Sequence, residues 1–148
     1  MEIRTTLTPV DFSDHSARAL DTAIDLAKTF GARVELIHCY PLPAAIVAPY
    51  GGTIAMDLER DVRNAAAARV QEWVGKVDAA GVKGDGVVTS EPPVTGILDR
   101  ARVVDADLLV MGTRGLSGLK HVVLGSVAER TLRMAPCPVL TVKADADG

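Results

Sequence analysis

Between Leu108 and Ser126 the chain reads LLVMGTRGLSGLKHVVLGS. An apolar run, Leu108–Met111, is followed at once by Gly112 and Gly115. After nine more residues come Gly125 and Ser126, and then the helical pattern Val127-Ala128-Glu129-Arg130-Thr131-Leu132. The stretch therefore predicts a buried strand, a glycine-rich loop and the start of a helix. Glycine takes positive φ and lets a ligand approach the backbone, so the three in this spacing matter. Backbone N–H groups of such a loop, joined by those that open the helix at Ser126, can bind an anion, most naturally a phosphate. Arg114 and Lys120 add positive charge inside the loop. The pattern is that of a cradle for a nucleotide phosphate.

The remaining segments predict the layer in which that cradle sits. Ile3–Thr8 is a β-branched run closed by Pro9, a first strand. Asp11, Ser13 and Asp14 supply turn and N-cap chemistry for a helix from Asp14 to Phe30, with Gly31 as its stop. Arg33–Cys39 is the second strand, ended by Pro41-Leu42-Pro43. An irregular stretch follows to about Ala55, either a lid or a plain connector. Val62, Ala66, Val70, Trp73 and Val77 mark a long amphipathic helix from about Met56 to Ala80, with Trp73 packed against the sheet. Lys83–Ser90 is a third strand, weakened by Gly84 and Gly86. Pro92-Pro93 opens a helix running to about Val103. Pro136 and Pro138 end the last helix, and the last strand, Val139–Val142, takes an edge position. Strict β-α alternation implies a parallel sheet with helices on both faces. Ligands of such sheets sit at the carboxyl ends of the strands, where the strand order reverses. Asp11, Cys39 and Gly112 then fall together.

Composition narrows the function classes. At 148 residues the chain suits one domain, and 48% apolar against 24% charged residues fits a globular protein. Aromatics are only 3%, which favours a helix-on-sheet interior filled by Ala, Val and Leu. The net charge is −3, without a basic block, so no nucleic-acid partner is expected. Cys39 and Cys137 form no CxxC pair and fit a reducing compartment. The opening MEIRTTLTPVD lacks a signal-peptide core, and no apolar run approaches the ~20 residues needed to span a bilayer. The expectation is a soluble cytoplasmic protein without a membrane partner. His15, His38 and His121 lack metal-ligand spacing, and no G-x-S-x-G elbow is present. His38 is expected in the core or at a strand end, and His15 in the first turn of a helix. His121 and Ser117 lie inside the glycine loop.

No G-x-x-x-x-G-K-[ST] string occurs, and no G-x-G-x-x-G follows the first strand. The spacing Gly112-x2-Gly115-x9-Gly125-Ser126 instead resembles that of the universal stress protein family, in its ATP-binding branch. Pro9-Val10-Asp11-Phe12-Ser13 resembles that family's P-x-D-x-S turn. Leu36-Ile37-His38-Cys39 is similar to its second strand end, and Cys137-Pro138-Val139-Leu140-Thr141-Val142 to its closing strand. The resemblance implies a single Rossmann-like, adenine nucleotide alpha hydrolase-like α/β domain over residues 1–143. It would hold a five-stranded parallel sheet in the order 3-2-1-4-5 with four helices. Residues 144–148, small and polar, are expected to form a frayed tail. By the same resemblance Gly115, Gly125 and Ser126 contact the phosphates of ATP, and Val127 continues the row of N–H groups. The backbone of Cys39 would meet the adenine, with Pro9 and Val10 lining that side and Met111 near the base.

Asp11 alone leaves alternatives open. It is able to accept a hydrogen bond from a ribose hydroxyl, to hold a divalent ion such as Mg²⁺, or to act as a turn residue. The resemblance favours the ribose. Arg114 is placed either on phosphate or in solvent. The chain shows no general base placed to activate water and no arginine finger, so hydrolysis of ATP is expected to be slow at most. A Val/Leu/Thr edge strand is a template for a second copy. Universal stress proteins commonly dimerise through this strand, so a homodimer through 139–142 is expected. The alternatives are an interaction dimer that binds no nucleotide, an ATPase or a nucleotidyl- or phosphotransferase, and a cyclic AMP-binding form of the same pocket.

Overall fold

β-Branched and apolar residues with no helical period make most of the strands, and turn formers follow several of them, as Pro41 follows Arg33–Cys39 and Ser90 follows Gly84–Thr89. In the computed structural model, which describes residues 1–42, 49, 51–114 and 124–144, the elements are β1 (Thr5–Pro9), α1 (Asp14–Phe30), β2 (Arg33–Cys39), α2 (Gly52–Ala79), β3 (Gly84–Thr89), α3 (Pro93–Val103), β4 (Leu108–Gly112), α4 (Ser126–Met134) and β5 (Val139–Val142). The strands form one sheet in the order β3-β2-β1-β4-β5 and all pairings are parallel. Register is fixed by pairs such as Pro9↔Ile37 and Leu109↔Val139.

Because side chains alternate across a strand, β2 sends Val34 and Leu36 to one face and Ile37 to the other. The first face packs with Ala19, Leu20, Ala23 and Ile24 of α1 and Val70, Val74 and Val77 of α2. The second holds Leu7, Ile37, Leu109 and Met111 under Ile97 and Ala101 of α3 and Ala128 of α4. Each of these fully buried leucines contributes about 1.5–3 kcal/mol. On α2 the buried positions are Ala66, Val70, Val74 and Val77. Val74 rather than Trp73 therefore occupies the deep position, and Trp73 is half-buried beside it.

The helix α2 begins at Gly52, four residues before the expected Met56. Its first turn projects into solvent, with Ile54 59% and Met56 72% exposed, so no core-facing period announces it. The irregular stretch expected from 41 to 55 is shortened accordingly, and residues 43–48 and 50 lie outside the described residues, as do 145–148 of the tail.

At the amino-terminal ends of β1 and β4 the Asp107 carboxylate accepts the N–H groups of Arg4 (2.9 Å) and Thr5 (3.0 Å). The Asp107 N–H donates in turn to the Thr5 carbonyl at 2.9 Å. The Arg4 and Thr5 donors hold the Asp107 carboxyl below the ordinary carboxylate range. A carboxyl whose folded-state pKa is lowered contributes stability above its unfolded value, lost as pH falls through the folded one. Asp107→Asn is therefore expected to lower the thermal midpoint at pH 7. Its gap from the parent should shrink as pH drops below about 4. A gap that stays constant from pH 7 to pH 3 would refute the charged hydrogen bond as its source.

Candidate functional site

The chain winds outward from β1 through β2 to β3, then returns to place β4 and β5 on the other side of β1. Strand order therefore reverses between β1 and β4, and the crevice at their carboxyl ends is where a ligand of this architecture fits. Pro9, Val10 and Asp11 leave β1 there. Met111 and Gly112 end β4, Thr113 and Arg114 follow, and Cys39 ends neighbouring β2. Gly125 caps α4, with Ser126 and Val127 as its first residues. The expected set is thus distributed over the ends of three neighbouring strands and one helix start. Gly115, Ser117, Lys120 and His121 lie outside the described residues.

The turn from β1 into α1 is tightly bonded. The Val10 N–H donates to Ile37 O at 2.9 Å. Asp11 Oδ1 accepts the Ser13 N–H (3.0 Å), and the Asp11 N–H donates to Ser16 Oγ (3.4 Å). Ser13 caps α1 by accepting the Ser16 N–H at 3.2 Å. The turn and cap roles considered for Asp11 and Ser13 are thus both used. Between them Phe12 has φ +65°, a left-handed conformation that a bulky residue rarely adopts and that costs of order 1–3 kcal/mol.

Across the crevice, β4 leads to α4 through close backbone contacts. Thr113 is buried. Its N–H donates to Val142 O (3.1 Å), and its carbonyl accepts the Gly125 N–H at 2.6 Å. Glycine's permissive φ is not what these positions need. Gly125 has φ −69° and ψ 163°, and Gly112 is not among the positive-φ glycines. Space is what they need. A Cβ on Gly125 would stand 3.2 Å from Thr113 O, and one on Gly112 would stand 2.9 Å from His15 Cβ and 3.0 Å from its backbone carbonyl. Gly112 therefore lets the first turn of α1 press on the end of β4. Among the described residues no side chain caps α4, whose first turn begins at exposed Ser126. Amides of an uncapped first turn, at the positive end of a helix dipole, suit an anion.

On the β2 side, the Cys39 thiol lies 3.8 Å from Pro93 O and is closed in by Gly96, where a Cβ would stand 2.9 Å from Sγ. Burial, reinforced by the Glu91 carboxylate, pushes this thiol up to about 11. It is a packed thiol rather than a nucleophile, which leaves its backbone as the part able to meet a ligand. Among the described residues no three His, Cys, Asp or Glu side chains group as a metal site. No helix among them is long and apolar enough to cross a membrane.

Two features escaped the sequence reasoning. Thr113 acts through its backbone, which no motif reveals. His38, expected only as a core or strand-end residue, brings Nδ1 to 2.7 Å from Val10 O and its ring to 4.6 Å from that of Phe12. The only signal for it was the register that sets the end of β2 beside the end of β1.

Comparison with known proteins gives the following. Residues 2–143 match the universal stress protein family. A universal stress protein of Thermus aquaticus, named for its place 3′ of a QAH/OAS sulfhydrylase, is 36% identical over 142 residues, covering 95% of this chain and 98% of the relative. The structure solved for hypothetical protein MJ0577 superposes with a TM-score of 0.88 at 22% identity, over 99% of this chain and 100% of that one. A universal stress protein crystallised with cAMP superposes with a TM-score of 0.71 at 27% identity, over 97% of this chain and 98% of the other.

Proposed function

The chain belongs to the universal stress protein family, and from that premise we propose that it binds an adenine nucleotide, ATP first, in the crevice between β1 and β4. The observation that carries this reading is the α4 N-terminus, which has no side-chain cap among the described residues and opens beside the carboxyl end of β4. Gly125, Ser126 and Val127, with Gly115, would hold the phosphates through N–H groups and the Ser126 hydroxyl, and Arg114 would add charge. Asp11 would take the ribose. The Cys39 backbone would meet the adenine, between Pro9 and Val10 on one side and Met111 near the base. Gly112, against which the first turn of α1 packs, brings that helix onto the end of β4. Mg²⁺ would accompany the phosphates, and Asp11 is the one carboxylate of the set that would hold it.

In this reading the protein is a cytoplasmic stress-response regulator whose nucleotide state is its signal. Recognition dominates, and hydrolysis is slow at most. Two copies pair through the outer edge of β5, residues 139–142, where Leu140 is exposed. The cAMP complex of a relative supports an adenine ligand and makes cyclic AMP the second candidate.

Calorimetric titration with Mg-ATP, ADP, AMP and cyclic AMP tests the reading. Binding in the micromolar range, about −8 kcal/mol, is expected for ATP. Affinity should fall as phosphates are removed if the α4 terminus is the anchor. Silence with all four ligands would overturn the nucleotide site and leave an interaction dimer. Preference for cyclic AMP would move the assignment to the second candidate.

A further inference from the structure

We propose that His38 is a positioning residue for this site: with Trp73 and Arg69 it clamps Phe12 and so fixes where the Asp11 carboxylate stands. The inference rests on the adenine-nucleotide reading above. Asp11 lies between two residues that are held from outside the crevice. On one side Val10 is stapled to β2 twice, through its N–H to Ile37 O (2.9 Å) and through its carbonyl to His38 Nδ1 (2.7 Å). A carbonyl only accepts, so Nδ1 carries the proton in this contact. Both the neutral Nδ1–H tautomer and the cation supply that donor, so the staple does not depend on the charge of the ring.

On the other side Phe12 stands at φ +65° with its ring held from three directions. The His38 ring is tilted against it at 4.6 Å, the Trp73 ring meets it edge-on at 5.3 Å, and the Arg69 guanidinium lies 4.0 Å from its centroid. Edge-to-face rings and a cation over a ring face are each attractive geometries. Without them a phenylalanine returns to the right-handed or extended regions. That rotation would swing the Asp11 carboxylate, which is tied to the turn by the Ser13 N–H at 3.0 Å. Backbone strain held in place by surrounding contacts is characteristic of sites that need a fixed geometry. His38 thus links the end of β2 to the one carboxylate assigned to the ribose.

The test is titration with Mg-ATP of the parent, His38→Phe, His38→Asn and Arg69→Met, each at a temperature where it is folded. His38→Phe keeps a ring against Phe12 and removes the donor. His38→Asn places an amide N–H near the Nδ1 position and removes most of the ring. His38→Phe is expected to bind about 10-fold more weakly, the worth of one hydrogen bond, and His38→Asn to recover to within about 3-fold of the parent. The chain has one tryptophan, Trp73, so its emission reports on the clamp directly. Nucleotide should shift that emission in the parent and shift it less in His38→Phe.

Parental affinity in His38→Phe, or no rescue by His38→Asn, would overturn the positioning role while leaving the nucleotide site intact. Should His38→Phe fail to fold, Arg69→Met decides, because Arg69 is exposed on α2. About 3-fold weaker binding is expected of it, and unchanged binding would refute the clamp. A parent that binds none of the nucleotides removes the underlying reading and this inference with it.

Discussion

Arg100→Met is expected to destabilise the fold by about 3 kcal/mol, the cost typical of leaving one member of a buried ion pair uncompensated. Glu35 sits in the middle of β2, on the face covered by α3, and its side chain is 0% exposed. Arg100 of α3 donates through both Nε, at 2.9 Å, and Nη2 to Glu35 Oε1. Arg33 Nη1 donates to Oε2 more loosely, at 3.4 Å. The three groups are not equivalent. The side chains of Arg100 and Arg33 remain 26% and 35% exposed, so either can turn its guanidinium to water, whereas the carboxylate has no route out. Glu35→Gln should therefore cost less than Arg100→Met, about 1–2 kcal/mol, because what it strands can be solvated. Replacing both partners together, Glu35→Leu with Arg100→Met, should recover much of the loss. Urea unfolding with an unchanged m-value is the appropriate measurement. The Arg100→Met thermal midpoint should fall by roughly 6–12 °C for a domain of this size. Equal losses for Arg100→Met and Glu35→Gln would show that desolvation of the carboxylate is not the controlling cost.

Glu35 also marks a limit of what the sequence makes legible. The strand Arg33–Cys39 is readable from its composition, and it forms over those residues. A strand buried on both faces leaves no polar face, so nothing in RVELIHC says that its glutamate is an interior one. The partner that makes Glu35 tolerable lies 65 residues away on another element. The strand order, and with it the gathering of Asp11, Cys39 and Gly112 at the ends of β1, β2 and β4, was legible for the opposite reason. They follow from β-α alternation, which is local, together with topological rules and a family resemblance. Glycines were legible as positions and not as mechanisms. Gly84 and Gly86 looked like weak points of β3, yet a Cβ on Gly86 would stand 2.5 Å from Val70 Cγ1, so that glycine lets α2 lie on the sheet. The first turn of α2 was missed because Ile54 and Met56 face solvent and contribute no period. The left-handed Phe12 carries no sequence signal, since its conformation is imposed by rings from β2 and α2.

The second large effect separates two glycines of the candidate site, Gly112 at the end of β4 and Gly125 before α4. Gly125→Val is expected to weaken Mg-ATP binding about 100-fold, near 2.7 kcal/mol, while costing less than about 1 kcal/mol of stability. The backbone of Gly125, at φ −69° and ψ 163°, is one that valine adopts readily, so no strain enters through φ. Its new Cβ would meet Thr113 O at 3.2 Å and Arg114 Cα at 3.6 Å, contacts that a shift of a few tenths of an ångström relieves. The branched methyl groups would then stand at the opening of α4, beside the amides assigned to the phosphates. Gly112→Ala should behave in the opposite way. Its Cβ would meet His15 backbone atoms at 3.0 Å, and backbone at the start of a capped helix does not yield cheaply. Overpacking of this kind costs about 1–3 kcal/mol, and it should appear as lost stability with binding reduced only as far as the crevice deforms. Thermal unfolding and calorimetry on the same two preparations read both quantities. A Gly125→Val protein that is folded and binds as the parent does would remove the α4 terminus as the phosphate seat. A Gly112→Ala protein as stable as the parent would show that α1 can move off β4. The two glycines are three residues and ten residues from Gly115 in the chain. One nevertheless serves the packing of α1, and the other, on the proposed reading, keeps the α4 terminus clear for phosphate.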